Sequence, residues 1–360
     1  MVPFIPTLFD PLVLLTTILG YALLFAVASF IAPKIANKLT GKIGLYSSMF
    51  LTGFLIVFIF VSIIVTLGYF YNPKYIYSIL IFAVFFAILS NLITYLISPY
   101  MINFMFKAKE DPELQKLVDE VKNELGIKWN VKAYLVEGPP NAFAYGNILT
   151  GRLVAVTKSM MDLMDKNELK AVIGHELGHH LHRDNLFMIL FGILPSIIYY
   201  LGYSLIFSPD ERRSSGSLLI GIALVAISFL MQILILTFSR LREYYADSVG
   251  AKVSKEGMMY SLAKLYLIYK GNEELRNYVK SSSFRALFIY AFVSTLANPF
   301  FDMFEEENEE NNEEIKIEKI KVDKETIEKI KNDKSEIGTI YEFLSTHPPI
   351  PKRLSFIESL

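Results

Sequence analysis

The sequence predicts a mainly α membrane protein in which about five transmembrane helices are joined to a helical domain with a small β-sheet. Three observations predict it. Hydrophobic residues make up 53% of the 360-residue chain, and mean hydropathy is +0.39, both high for a soluble protein. The apolar residues gather into uncharged runs about as long as the ~20 residues a spanning helix needs. Between those runs, helical and strand periodicities alternate over short segments bounded by turns.

The first 106 residues carry five charges, Asp10, Lys34, Lys38, Lys42 and Lys74. Residues 11–32 form the first uncharged run, a second span lies near Leu45–Tyr69 and a third near Tyr75–Ile97, so 1–106 reads as three transmembrane helices. No basic segment precedes the first run, which is full length, so it reads as a span and not as a cleavable signal. Spans at 185–207 and 215–238, separated by the polar turn Pro209-Asp210-Glu211-Arg212-Arg213, make 185–238 a transmembrane hairpin. Phe288–Phe301 is short and broken by Asn298-Pro299, and reads as a core or interfacial helix. Lys34, Lys38 and Lys42 lie between spans one and two, and Lys107 and Lys109 follow span three, against Lys74 alone between spans two and three. This bias predicts a multi-pass protein of the cell membrane with its N-terminus outside and the segments after spans three and five in the cytoplasm.

Residues 107–184 read as the first part of the extramembrane domain. Leu114, Leu117, Val118, Val121 and Leu125 share one face of a helix over Asp111–Leu125. Val131–Val136 alternates as a strand, Gly138-Pro139-Pro140 marks a turn, Asn141–Ala144 is extended, and Leu153–Thr157 is a second β-branched strand. Ser159–Met164 is a short helix, and Asn167 is the expected N-cap of the next one. Residues 239–304 continue the domain as helix. The acidic block from Glu305 to Glu314 opens an insert over 305–336 that reads as solvated and mobile. Within it Ile315–Val322 has strand alternation and Glu325–Lys331 helical character, and the pattern leaves both open. Residues 337–360 form a C-terminal element.

The helix after Asn167 contains His175-Glu176-Leu177-Gly178-His179. Residues four apart share a helical face, so His175 and His179 can hold one metal ion while Glu176 reaches a water activated by it, the arrangement of a zinc peptidase. A helix with incidental histidines is the plain alternative, but its buried imidazoles and carboxylate would need polar partners. Four of the five histidines fall between 175 and 182; His180 and His182 lie off the ligand face. A third ligand is expected downstream, where Glu243 and Asp247 share a helical face: one can ligate and the other can orient a histidine through its free ring N–H. An ordinary surface helix with charge pairs accounts equally well for that spacing. A net charge of −1 gives no basic field for nucleic acid, and the absence of cysteine excludes disulfides, a thiol nucleophile and a thiolate zinc site.

Taken together, His175-Glu176-Leu177-Gly178-His179 with Arg183-Asp184, a hydrophobic hairpin, and Ser239-Arg240-Leu241-Arg242-Glu243-Tyr244-Tyr245-Ala246-Asp247 resemble the HtpX-type membrane zinc metalloproteases, relatives of the CAAX prenyl proteases. Asn141-Ala142-Phe143-Ala144-Tyr145-Gly146 and Ser345-Thr346-His347-Pro348-Pro349 with Arg353 resemble two further elements of that family, in the same order. The resemblance implies a zincin-like catalytic domain with one Zn2+ per chain and Glu243 as third ligand. It implies that Asp247 supports a ligand or handles protons. It also implies that Asn141, Ala142, Phe143, Ala144 and Tyr145 form an extended edge beside the cleft, able to take a substrate as an added strand. His347 would lie near the site and support the oxyanion or the peptide, and Arg353 would be structural. Three N-terminal spans, where such proteins commonly have two, and the 305–336 insert depart from the family pattern.

Glu176 is then the expected general base, taking a proton from the activated water and delivering it to the leaving amine. The expected partners are the lipid bilayer and polypeptide substrates, membrane proteins that are misfolded or damaged, in a quality-control task with no nucleic acid. Two alternatives stand beside this reading. A CAAX prenyl-protein endopeptidase is disfavoured by five spans. The other is a metal-binding transporter or a zinc-binding membrane scaffold, of which transport is disfavoured because spans one to three hold no ionisable residue that it would need.

Overall fold

The computed structural model describes residues 41–70, 73–207, 215–271 and, towards the C-terminus, 320–335, 337, 342, 345 and 347–360. The expected first span at 11–32, the 209–213 turn, Phe288–Phe301 and the 305–314 block lie outside the described residues. In order the elements are α1 (Gly41–Phe70), α2 (Pro73–Met105), β1 (Lys109–Glu110), α3 (Pro112–Glu124), β2 (Val131–Val136), β3 (Ala142–Asn147), β4 (Gly151–Thr157), α4 (Lys158–Leu163), α5 (Lys166–Leu181), α6 (Asp184–Ile206), α7 (Ser215–Gly271), α8 (Lys324–Lys331) and α9 (Ile350–Glu358). Among the described residues three helices are long and apolar enough to cross a membrane, at Leu80–Phe104, Phe187–Ile206 and within Gly216–Gly271, with a shorter apolar stretch at Met49–Ile64.

The chain packs as two units. In the first, α1, the start of α2, α6 and the start of α7 share a core of Ile56, Ile63, Ala83, Ile198, Leu201 and Leu234 with their neighbours. The opposite faces leave Phe50, Phe54, Ile81, Phe85, Leu219 and Ile222 exposed, the inverse of a soluble bundle and the pattern expected where lipid is the solvent. Without a hydrophobic drive between helices in lipid, small residues set close packing. A Cβ on Gly202 would sit 2.7 Å from the Gly221 carbonyl oxygen, and one on Gly221 would sit 2.8 Å from that of Gly202. Asn91 donates to Ser196 Oγ at 3.3 Å across the same core.

The second unit is built on a four-stranded sheet in the order β1-β2-β4-β3, with β2 and β4 parallel and the outer pairs antiparallel. Asp111 caps α3 by accepting from Leu114 N at 2.7 Å, and α3 buries Leu114, Leu117, Val118 and Val121 against Val131, Val154 and Val156 of the sheet and Leu169, Val172 and Ile173 of α5. The Gln115 amide fixes that seam by donating to Val131 O and accepting from Ala133 N. The extended segment reaches Asn147, three residues past the expected Ala144.

The N-cap of α5 is Asp165, which corrects the expected Asn167. Asp165 accepts from the amides of Asn167 and Glu168 while Glu168 reaches back to the Asp165 N–H, a reciprocal cap that a cap at Asn167 would forgo. Glu168 is also paired with buried Lys264 at 2.6 Å. Helix α7 does not end with its apolar run at 238 but continues, with one break at Ser254 (φ −155°, ψ 105°), to Gly271; Ser254 Oγ accepts from Gly257 N at 2.9 Å and restarts the helix. The later part of α7 buries Met258, Leu262 and Tyr266 against Ile327 and Ile330 of α8 and Leu354 and Ile357 of α9. Residues 320–323 form no strand, and Lys324–Lys331 takes the helical alternative.

Helices α5 and α7 touch backbone to backbone. A Cβ on Gly178 would lie 3.1 Å from Ala246 Cα, and one on Gly250 would lie 2.7 Å from the Ala171 carbonyl oxygen and 3.3 Å from His175 Cβ. Gly250→Val should therefore wedge the two helices apart and lower stability by about 1–3 kcal/mol, read as an earlier thermal unfolding transition of the detergent-solubilised protein; an unchanged transition would show that the contact tolerates separation.

Candidate metal centre

The reciprocal cap starts α5 in a register that puts His175 and His179 on the face towards α7, and the glycine contact brings Glu243 within reach of both. His175 Nε2 and His179 Nε2 are 3.3 Å apart. Glu243 Oε2 lies 3.5 Å from His175 Nε2, and Glu243 Oε1 lies 3.4 Å from His179 Nε2. Four ligand atoms held about 2.0–2.1 Å from a tetrahedral centre are separated by about 3.3 Å along each edge, so the three separations are those of one face of such a tetrahedron. The three residues form a buried group able to hold a metal ion.

The remaining ring nitrogens settle which lone pairs are available. His175 Nδ1 lies 3.0 Å from Asp247 Oδ1, and His179 Nδ1 lies 2.6 Å from Asp184 Oδ2. A carboxylate at Nδ1 favours the proton on that nitrogen and leaves the Nε2 lone pair directed at the centre. Each carboxylate is held in turn by an arginine. Arg353 donates through Nε and Nη2 to the two oxygens of Asp247, at 2.9 and 2.6 Å. Arg242 is ion-paired with Asp184 and donates to its backbone carbonyl oxygen. Asp247 and Glu243 are fully enclosed, at 0% and 4% exposure.

Charge follows the same layout. Burial opposes ionisation of Glu243, but His347 and His175 beside it hold its carboxyl well below the ordinary range. Burial likewise opposes the Asp247 charge, and Arg353 and His175 overcome it. Burial lowers His179, which favours the neutral imidazole a metal binds. At His175 burial disfavours the imidazolium, yet Asp247 and Glu243 outweigh it and raise its pKa to about 10; those carboxylates can serve a metal cation in place of that proton.

Other residues singled out from the sequence fall around this centre. Glu176 is buried on the turn between the two histidines. His347 Nδ1 is 2.7 Å from Glu243 Oε2, with a largely exposed side chain. His180 donates through Nε2 to the Leu153 carbonyl oxygen at 2.9 Å, with burial pushing its pKa down to about 4, and His182 stacks edge-on against Tyr245; neither belongs to the group. Asn141–Tyr145 runs into and along β3, which pairs only with β4 among the described strands. Asn141 is tied to Thr157, its N–H donating to Oγ1 and its carbonyl accepting from Thr157 N, both at 2.9 Å. Ala142, Phe143 and Ala144 are half-buried, with Phe143 packed on Phe106. Tyr145 turns inward, its hydroxyl donating to Asn103 at 2.5 Å. Asp184 and Arg242 were given no role by spacing, although both stand inside the quoted motifs; an acidic residue five positions beyond His179, just past the helix end, was the available signal.

The sequence pattern described as "Peptidase family M48" matches residues 108–360. The chain is 50% identical to a "Protease HtpX homolog" of Pyrobaculum aerophilum over 290 residues, covering 79% of this chain and 78% of that protein. It is 47% identical to one of Archaeoglobus fulgidus over 280 residues, 77% and 76% of the two chains. Among solved structures it resembles S. mikatae Ste24p at 17% identity and a TM-score of 0.46, over 88% of this chain and 67% of that one.

Because the Asp184 carboxylate holds the His179 ring, Asp184→Asn should weaken divalent-metal binding by about 10–100-fold in competition with a chromophoric chelator; binding equal to the parent protein would separate Asp184 from the metal centre.

Proposed function

From the premise that this chain belongs to peptidase family M48, we propose that His175, His179 and Glu243 bind one Zn2+ and that Glu176 serves it as general base in peptide-bond hydrolysis. Membership makes the protein an HtpX-like membrane metalloprotease acting on polypeptides. The observation that carries the zinc reading is the convergence of two imidazole Nε2 atoms and one carboxylate at tetrahedral spacing, each imidazole backed by a carboxylate. Two nitrogens and one oxygen suit zinc and leave a position open for chemistry.

When bound, zinc would acidify a water and polarise the scissile carbonyl. The residues divide the rest of the work. Glu176 accepts the water's proton and returns it to the leaving amine nitrogen as the C–N bond breaks. Asp247 and Asp184 keep the imidazoles in the ligating tautomer, and Arg353 and Arg242 hold those carboxylates in place. His347, exposed beside Glu243, is placed to donate to the developing oxyanion or to the peptide. The edge of β3 that no other described strand pairs, at Ala142 to Ala144 beside α5, would align an extended substrate through backbone hydrogen bonds.

The proposed task is quality-control cleavage of misfolded or damaged membrane proteins at the cytoplasmic face of the cell membrane. Two features support it. The helix that carries Glu243 also carries an apolar stretch long enough to cross a membrane, and the lysine distribution puts the segments on either side of 185–238 in the cytoplasm.

Glu176→Gln should abolish hydrolysis of an unfolded polypeptide by the purified protein while zinc content stays at that of the parent; loss of zinc from a folded Glu176→Gln protein would remove the general-base assignment. Chelation should stop hydrolysis and added zinc restore it; activity that survives exhaustive chelation would contradict a metal-dependent reaction.

A further inference from the structure

The turn joining β3 to β4 presents two large apolar side chains to the outside: Ile148 is 81% exposed and Leu149 66%. It is nonetheless a tightly held turn. Asn147 Oδ1 accepts from the backbone N–H groups of Leu149 and Thr150, at 2.8 and 2.9 Å. The other end of the same amide donates to the carbonyl oxygens of Tyr95 and Leu96 in α2, both at 2.9 Å. The first of those acceptors has a covalent cause. Pro99 lies inside α2 and has no N–H, so the Tyr95 carbonyl four residues earlier lacks its helical partner. Asn147, together with Ser98 Oγ at 3.3 Å, supplies one.

This contact fixes the depth of the turn. The apolar span of α2 runs from Leu80 to Phe104, 25 residues, and the hydrocarbon layer takes about 20 residues of helix. Tyr95 and Leu96 lie within that stretch and also within the span read from the sequence near Tyr75–Ile97, towards the end that leads into the sheet. Over the same part of α2, Ile97, Met101 and Phe104 are exposed, so the apolar tip continues a surface that the span already turns to lipid. In lipid an unmet carbonyl is expensive, which gives the Asn147 bridge its purpose there.

We infer that the β3–β4 turn is inserted in the bilayer beside α2, with Ile148 and Leu149 among the acyl chains. This immersion sets the outer edge of β3 at the membrane surface, so that it takes polypeptide segments still attached to the membrane ahead of soluble ones. The clause on substrates rests on the peptidase reading above; the insertion itself does not.

The chain has no cysteine, so single labels are specific. Full-length Leu149→Cys, and Lys132→Cys on the exposed side of β2 as the aqueous reference, are labelled with an environment-sensitive dye in phosphatidylcholine vesicles. The label at 149 should be quenched by nitroxides on the acyl chains and spared by aqueous iodide, with the reverse at 132. A label at 149 open to iodide, or shielded from both quenchers as a protein partner would shield it, overturns insertion. In parallel, Ile148→Ser with Leu149→Ser should cleave a membrane-tethered substrate several-fold more slowly and the same segment as a free peptide at the parent rate, while Ile148→Leu keeps both rates. Equal loss on both substrates, or no loss on either, overturns the substrate preference. If the parent protein cleaves neither, the peptidase reading fails and takes the preference with it, while the quenching result still decides insertion.

Discussion

Direct backbone contact between α5 and α7 is the constraint on which the centre depends. The three residues of the group come from positions more than sixty residues apart in sequence, Glu243 on one helix and His175 and His179 on the other. A carboxylate on a side chain as short as glutamate can meet both imidazoles only if the helix axes come closer than ordinary side chains allow. Gly178 and Gly250 remove the side chains that would keep them apart. Gly178 therefore takes part in the His175–His179 motif by what it lacks: it stands between Glu176 and His179 and has no chemistry of its own.

Burying so many ionisable groups at one helix crossing is costly unless each charge is answered. Asp247 is answered by Arg353 and Asp184 by Arg242. The two arginines come from opposite directions in the chain: Arg242 precedes Glu243 on α7, and Arg353 lies on α9 near the C-terminus. The last helix is thus tied to the centre by an ion pair as well as by the Leu354 and Ile357 packing. With those pairs closed, Glu243, which also meets His347 and the Arg353 Nη1, still turns its carboxylate to the imidazole pair, where a divalent cation would bind. The arrangement is one in which metal binding and folding reinforce each other.

Much of this was legible in the sequence because its signals are periodic. Apolar runs set by bilayer thickness marked the long apolar helices α2, α6 and the start of α7 and the shorter apolar stretch of α1, and a four-residue spacing put His175 with His179 and Glu243 with Asp247 on common faces. What was hidden is not periodic. The apolar run ending at 238 and the helical segment from 239 read as two elements, but hydropathy reports the solvent, and the hydrogen bonding of α7 runs through both to a break at Ser254 that no proline or glycine marks. Asp165 and Asn167 are both good caps, and only the backward reach of Glu168 chooses between them. Asp184 meets His179 because the chain turns at Arg183, whose φ of 53° lies in the left-handed region, a geometry that residue spacing along a helix does not anticipate.

The most direct measurement is zinc K-edge X-ray absorption of the purified full-length protein with metal content determined in parallel. The predicted result is one zinc per chain with two imidazole nitrogens and a carboxylate oxygen at about 2.0–2.2 Å, the oxygen-derived and stoichiometric signals both being lost in Glu243→Ala. A shell of three or more imidazoles, which would draw in His180, His182 or His347, or stoichiometric zinc with an unchanged spectrum in Glu243→Ala, would contradict it.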